Sequence, residues 1–294
     1  MSGAVAYRLF DVQVVRRTPL SPSLCRLTFT GDAVADMGRR APDQRIKIFF
    51  PTPDGRPPAL PPDWLRVYPT LPPAARPPRR TYTIRALRPA AAEVDVDFVL
   101  HGDTGPASAW ATSAAPGDRV QMVAPDGRFD GDPGGYEWRP PPRLERVLLM
   151  ADETALPALA GILEELAAML APPRTEAFVE VPSADDRIAL PIWRGLSLAW
   201  TARGHAEPGA ALVTAAARAE LPCTAAPASP LPDENLDVEL LWDRAAPADG
   251  GFYAWIAAEA GAVKTIRRIL VAERGVERSA AVLMGYWRRG RALE

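Results

Sequence analysis

The sequence predicts two domains, an N-terminal antiparallel β-barrel and a C-terminal α/β domain with a parallel, nucleotide-binding sheet. The chain has 294 residues, which exceeds the roughly 250 residues that one hydrophobic core usually supports. Its first half contains short β-rich segments, whereas from Leu144 onward apolar runs alternate with segments of helical periodicity. We place the boundary at the stiff, proline-rich segment 139–143, which divides the chain into residues 1–140 and 141–294.

Short segments rich in β-branched and aromatic residues predict the strands of the barrel. Proline, glycine or aspartate bounds most of them, as is typical of antiparallel barrels and sandwiches. The proline-dense segment 51–78 predicts an irregular excursion between two strands. The predicted strands are Phe10–Val15, Leu24–Thr30, Arg45–Phe50, Tyr82–Arg85, Val94–Leu100 and Arg119–Val123.

The second half begins with a continuous apolar run, LERVLLMA at 144–151, which predicts a strand buried on both faces. Apolar residues at helical spacing follow it, and weaker strand-then-helix patterns start at 176, 196 and 252. This alternation favours a parallel sheet that binds ligands at the carboxyl ends of its strands. Segment 223–249 lacks helical periodicity and predicts a long loop.

Composition excludes several classes of function. The formal net charge is -2, so there is no overall basic field to attract nucleic acid. No segment approaches the ~20 apolar residues of a membrane-spanning helix, and Cys25 and Cys223 stand alone, which excludes a cysteine-rich metal cluster. We expect a cytoplasmic protein, monomeric, with no bound metal, no catalytic nucleophile and no membrane insertion.

The heptapeptide RRTYTIR, residues 79–85, carries the first candidate site. In a strand, Arg80 and Tyr82 share one face, and Thr81 and Thr83 share the other. An arginine can bind a phosphate, a tyrosine ring can stack on a flat heterocycle, and a threonine can hydrogen-bond a ring nitrogen. Taken alone, however, the heptapeptide favours an ordinary edge strand.

A second stretch, DFVLHGDTGPASAWA at 97–111, runs from a strand through a turn into a helix. Proline at the first helical turn, with small residues beside it, allows the free backbone N–H groups to approach a pyrophosphate. Gly105, Pro106, Ala107 and Ser108 are therefore a candidate phosphate site. The alternative is an ordinary capped helix, with His101 a strand-end histidine of no catalytic role.

Four stretches together resemble the siderophore-interacting proteins, a family of flavin-dependent ferric-siderophore reductases related to ferredoxin-NADP reductases. These are RTYT, FVLHGDTGPASAWA, ADETALPAL, and FYAWIAAEAGAVKTIRRILVAERG with GYWRRG, in that order between Arg80 and Gly290. The resemblance implies an N-terminal barrel that binds FAD and a C-terminal domain that binds NADPH or NADH.

In the first domain the resemblance assigns Arg80 to an FAD phosphate, Tyr82 to the side of the isoalloxazine and Thr83 to its reactive edge. It places Val99 and His101 near the ribityl and adenosine part. Residues 105–108 would hold the pyrophosphate. In the second domain it places Asp152, Glu153, Thr154 and Ala155 near the cofactors. It places Glu180, Val181, Trp200 and Arg203 near the adenosine half of the pyridine nucleotide, and Trp255 and Glu259 near the nicotinamide.

The implied reaction passes a hydride from the nicotinamide to FAD and single electrons onward to Fe(III) in a siderophore. Ferric siderophores are often anionic, so a basic patch should border the flavin. Its candidates, for which a solvated charged face is the alternative, are Lys47, Lys264, Arg267, Arg268, Arg288 and Arg289.

Two questions stay open at this point. Asp185 and Asp186 favour the free ribose of NADH, whereas Arg187 beside them favours the phosphate of NADPH, and the two aspartates also fit a solvated turn. The function has two alternatives: an NAD(P)H–flavin oxidoreductase acting on a quinone or a protein acceptor, and a siderophore-binding protein without reductase activity.

Overall fold

The computed structural model describes residues 5–102, 105–222, 242–243 and 251–290. The chain divides into two compact units, with the division between Tyr136 and Glu137. One sheet lies in each unit, antiparallel in the first and mainly parallel in the second. The predicted fold class, a β-barrel followed by an α/β domain, is confirmed.

Seven strands and two helices form the first unit, apart from short 3-10 turns, within its described part. The strands pair in the order β4-β3-β7-β1-β2-β6-β5. The elements are β1 Tyr7–Ser21, β2 Leu24–Thr30, β3 Arg45–Phe49, α1 Trp64–Val67, β4 Arg79–Thr83, β5 Ala86–Arg88, β6 Glu93–Val99, α2 Pro106–Ser113 and β7 Arg119–Pro125.

The segment 79–88 closes this sheet into a barrel. Its first half, β4, pairs with β3 at one end of the strand order, and its second half, β5, pairs with β6 at the other end. Between them the Arg85 amide donates to the Asp95 carbonyl across 2.9 Å. One short piece of chain therefore satisfies both edges of the sheet.

All six predicted strands of the barrel are present, with ends that differ by a few residues. β1 and β4 begin before their predicted starts, because backbone pairing continues into the polar residues that flank each apolar run. The three-residue β5 was not predicted, since its length is too short for an alternating pattern. Inward-facing residues such as Leu27, Phe29 and Phe98 are fully buried and form the core.

The proline-rich excursion is not wholly irregular. It contains the four-residue helix α1 and packs onto the outer face of the barrel through Trp64 and Tyr68, which both contact the ring of Phe49. The Arg79 guanidinium lies 4.9 Å from the centre of the Tyr68 ring. The excursion thus reaches the beginning of β4 and fixes an arginine there.

Six strands form the sheet of the second unit, in the order β10-β9-β8-β12-β13-β11 among the described residues. The strand β13 was not predicted, and the predicted loop at 223–249 lies outside the described residues except for β11, a two-residue strand. The elements are β8 Arg146–Ala151, α3 Leu156–Ala167, β9 Arg174–Val181, β10 Leu196–Ala202, α4 Ala210–Arg218, β11 Trp242–Asp243, β12 Phe252–Glu259, α5 Ala260–Arg267 and β13 Ala281–Trp287.

Parallel pairing of β10, β9, β8, β12 and β13 brings their carboxyl ends to the same edge of the sheet. The residues that follow these strands therefore line one edge, where α/β sheets bind their ligands. A helix long and apolar enough to cross a membrane is absent from the described part of the chain.

Candidate functional site

In the first unit, β4 presents the predicted residues on two different faces. Arg80 and Tyr82 stand opposite Ile48 and Ile46 of β3 and so belong to the inward face. The Tyr82 ring lies 4.3 Å from that of Phe98, centroid to centroid, and burial raises the pKa of its phenol. The Arg80 guanidinium is half-buried and donates to the Arg79 carbonyl across 2.7 Å.

The other face of β3 and β4 is basic. Lys47 stands opposite Thr81, and its Nζ lies 3.4 Å from the Thr81 hydroxyl. Burial, and after it the positive charges of Arg79 and Arg45, lower the pKa of Lys47. Cations gathered in this way, with the lysine partly desolvated, favour the approach of an anion. Thr83, on the same face opposite Arg45, is buried.

The predicted phosphate site is the start of α2. Gly105 is the N-cap residue, Pro106 occupies the first turn, and no side chain among the described residues caps this end of the helix. Backbone N–H groups of the first turn are therefore available to a ligand. The buried Ser108 hydroxyl accepts from the His101 amide at 2.9 Å and donates to the Gly102 carbonyl at 2.8 Å. Ser108 thus fastens the preceding turn.

The residues of the first unit fit a flavin dinucleotide. An uncapped helix start preceded by glycine suits a pyrophosphate, and a Cβ at Gly105 would approach the His101 ring to 3.2 Å. Arg80 supplies a phosphate-binding fork and Tyr82 an aromatic face. Val99 and the exposed His101 lie at the end of β6, directly before this turn. Their assigned roles stay predictions.

In the second unit, Asp152 lies directly after β8 and is fully buried. Its Oδ1 accepts from the Thr154 amide at 2.9 Å and the Thr154 hydroxyl at 2.6 Å, and its Oδ2 accepts from the Trp287 indole at 2.7 Å. Asp152 therefore ties the first strand-to-helix turn to the end of β13. Ala155, also predicted, is buried and is the N-cap residue of α3. The sequence analysis assigns no role to Trp287, because only the sheet order places it two strands away from β8.

Burial, with the neighbouring Glu153 carboxylate, raises the pKa of Asp152 to about 7. The folded protein then binds this proton more tightly than the unfolded chain does. The stability that Asp152 contributes is therefore lost as the pH rises from about 4 to about 7. We expect Asp152→Asn to lose less stability than the parent across this range, measured by urea unfolding at several pH values. The exposed Asp185→Asn is the control, and parallel curves for parent and Asp152→Asn would contradict the prediction.

Arg203, predicted near the adenosine half of the pyridine nucleotide, directly follows the end of β10. Its guanidinium donates to both oxygens of Glu153, at 2.7 and 2.9 Å, and to Glu180 at 3.2 Å. Glu180 in turn accepts from the Gly209 and Ala211 amides at the start of α4. Two carboxylates already occupy the Arg203 fork, and its predicted place near the adenosine half of the nucleotide stays a prediction.

Two predicted nicotinamide contacts also have internal roles. Trp255 is fully buried in β12, with its ring 6.3 Å from that of Tyr286. Glu259 ends β12 and caps α5, accepting from the Gly261 and Ala262 amides at 2.6 and 3.0 Å. Both lie in the predicted strand, but neither side chain is free to turn toward a ligand without a loss of these contacts.

Several residues of the predicted basic patch in the second unit are buried or paired with a carboxylate. Arg267 is only 2% exposed, because it lies on the apolar face of α5 with Val263 and Ile266, and this burial contradicts a surface role. Arg268 pairs with Glu273 and Arg289 pairs with Glu207. Among the residues predicted to bind substrate, Lys264 is exposed and Lys47 is partly buried in the first unit.

The structure answers part of the question about the turn after β9. Asp186 is buried in a capping box with Ser183, whose amide and hydroxyl both donate to its Oδ2. Asp185 and Arg187 are exposed. Asp186 therefore holds the turn, and the choice between the two nicotinamide cofactors does not rest on it.

Comparison with known proteins places these features in context. Residues 13–129 match the family model of the siderophore-interacting FAD-binding domain, and residues 144–290 match that of the siderophore-interacting protein. The chain is 27% identical to the ferric vibriobactin reductase ViuB of Vibrio cholerae, over 98% of this chain and 91% of that protein. It is 31% identical to an NADPH-dependent ferric-chelate reductase of Escherichia coli, over 66% of this chain and 72% of that protein.

The solved structures include one of similar length and fold. It is the crystal structure of a siderophore utilization protein from T. fusca, with a TM-score of 0.74 and 28% identity, covering 98% of this chain and 95% of that one.

Proposed function

The chain belongs to the siderophore-interacting protein family, and from this premise we propose that it is an FAD-dependent NAD(P)H reductase of ferric siderophores. The observation that carries the proposal is the uncapped start of α2, led by Gly105 and Pro106, in a domain of the FAD-binding type. The proposed products are Fe(II) and the iron-free siderophore. Hard oxygen donors bind Fe(II) more weakly than Fe(III), so reduction releases the metal.

Bound FAD supplies the conversion from a two-electron donor to a one-electron acceptor. The chain positions it: the first turn of α2 and the Arg80 guanidinium hold its phosphates, while Tyr82 provides an aromatic surface. Thr83 is proposed to meet the ring, as the resemblance implies. Lys47, with Arg45 and Arg79 near it, attracts an anionic ferric siderophore. Lys264, exposed on α5 of the second unit, is proposed separately as a residue that attracts this anionic substrate.

The decisive experiment is the visible spectrum of the purified protein during one cycle. We expect flavin bands that bleach when NADH or NADPH is added under argon and return when a ferric catecholate or hydroxamate follows. Rapid NAD(P)H oxidation with a quinone and none with any ferric chelate would instead establish the quinone reductase. A protein that takes up no FAD but binds a ferric siderophore would establish the binding protein.

Arg80→Ala tests the phosphate contact. Loss of a charge-assisted hydrogen bond costs about 1.5 to 3 kcal/mol, so the dissociation constant of FAD should rise by roughly ten- to a hundredfold. Fluorescence titration of the apoprotein with FAD measures it. Arg66→Ala is the control, because Arg66 is exposed and pairs with Asp63 on the excursion. Equal FAD affinity in the parent and Arg80→Ala would remove Arg80 from the site.

A further inference from the structure

The carboxyl edge of the second sheet has more acidic than basic side chains among its described residues. Glu153 follows β8, Glu180 lies near the end of β9, and Arg203 follows β10. These three strands are neighbours in the order β10-β9-β8. Two carboxylates and one guanidinium therefore meet at one place and leave an excess of negative charge.

Arg203 cannot add a phosphate to its partners at low cost. Its side chain is 13% exposed, Nη1 and Nη2 both bind Glu153, and Nη1 also contacts Glu180. A guanidinium that is planar and bidentate on one carboxylate offers few remaining donors. A phosphate that approached it would also meet both carboxylates.

The backbone N–H groups at the start of α4 are likewise occupied, because they donate to Glu180. Glu180 is fully buried, and its two oxygens accept from the Gly209 amide at 2.7 Å and the Ala211 amide at 3.1 Å. A carboxylate of the chain thus holds the position in which a helix start would otherwise bind an anion.

In doubly wound sheets, an acidic residue near the end of the second strand accepts the ribose 2′-hydroxyl of NADH, whereas a free arginine accommodates the 2′-phosphate of NADPH. Here Glu180 of β9 is fully buried and hydrogen-bonded, so it acts on an approaching phosphate through its charge. Arg203 is neutralised, and the exposed Arg187 of the turn after β9 shares that turn with the exposed Asp185. Like charges brought together at a binding surface discriminate strongly against the wrong ligand.

We propose that the cluster of Glu153, Glu180 and Arg203 makes the chain select NADH over NADPH by rejecting the 2′-phosphate. The proposal rests on the proposed function in that it assumes a nicotinamide donor at this edge of the sheet. The proposed preference for NADH differs from the donor of the E. coli relative, whose name gives NADPH.

The test compares two ligands that differ only in the 2′-phosphate, ADP-ribose and 2′-phospho-ADP-ribose, by isothermal titration calorimetry on the full chain loaded with FAD. We expect the phosphorylated ligand to bind at least about tenfold more weakly. Glu153→Gln removes one negative charge and frees part of the Arg203 fork, so the difference should shrink by about fivefold or more.

Glu220→Gln is the matched control. It breaks an exposed pair with Arg174 at the opposite end of the same sheet and should leave the ratio of the two affinities unchanged. Equal or tighter binding of the phosphorylated ligand by the parent overturns the proposal, and this measurement needs no variant. An unchanged ratio in a folded Glu153→Gln protein also overturns it.

Anaerobic bleaching of the flavin by each nucleotide keeps the two proposals apart. Faster bleaching by NADPH than by NADH would overturn the selectivity and leave the reductase intact. Bleaching by neither nucleotide would overturn the reductase, while the ADP-ribose comparison would still decide whether the cluster rejects a 2′-phosphate.

Discussion

Arg203→Ala should lower the free energy of unfolding of the second unit by about 3 kcal/mol, because it leaves buried carboxylates without their cation. Glu180 is fully buried and Glu153 is 8% exposed. Neither can recover its lost partner by full hydration, so the penalty is that of an uncompensated buried charge. Urea unfolding followed by circular dichroism at neutral pH measures the change.

Arg174→Ala provides the matched control for that prediction. Arg174 also pairs with a glutamate at 2.8 Å, but both side chains are more than half exposed, at 65% and 60%. An exposed pair contributes about 0 to 1 kcal/mol. Similar losses for the two variants would show that water reaches the Arg203 cluster and that its burial does not determine its strength.

Trp255→Ala should lower the free energy of unfolding by about 4 kcal/mol, the usual cost of removing a buried tryptophan and leaving a cavity. Trp255 is fully buried in β12, between β8 and β13. Trp255→Phe retains most of the apolar volume and should cost less than half as much. Both are measured by urea unfolding.

The same pair of variants tests the predicted nicotinamide contact. If Trp255 serves only the core, Trp255→Phe keeps the parent's affinity for ADP-ribose and its rate of flavin bleaching by NADH. A folded Trp255→Phe protein whose bleaching is slowed would instead show that the ring reaches the cofactor.

The sequence predicts the elements of this fold better than the partners of its charged residues. Alternation in LCRLTFT and the apolar run RVLLMA are local patterns, and both become strands at these positions. The partner of Arg203 is Glu153, fifty residues away in the chain, and no local spacing reveals that pair. The sequence therefore places Arg203 near the cofactor but does not show that two carboxylates neutralise it.

Two features that were not predicted, the burial of Arg267 and the strand β13, correspond to a recognisable pattern in the sequence. Val263, Ile266 and Leu270 lie at helical spacing on one buried face, and Arg267 falls on the same face. Its burial followed from periodicity, although its charge suggested the surface. Similarly, AVLMGYW is an apolar run long enough for a strand and forms β13, but the run cannot be distinguished from a buried helix by periodicity alone.

The segment 79–88 joins the two ends of the barrel sheet, because its first half pairs with β3 and its second half pairs with β6. The same segment carries Arg80, Tyr82 and Thr83, which we propose hold FAD. A ligand that binds only the folded barrel stabilises it by an amount that grows with the ratio of free ligand concentration to the dissociation constant. Occupancy of the proposed flavin site would therefore stabilise the pairing at both ends of the barrel sheet.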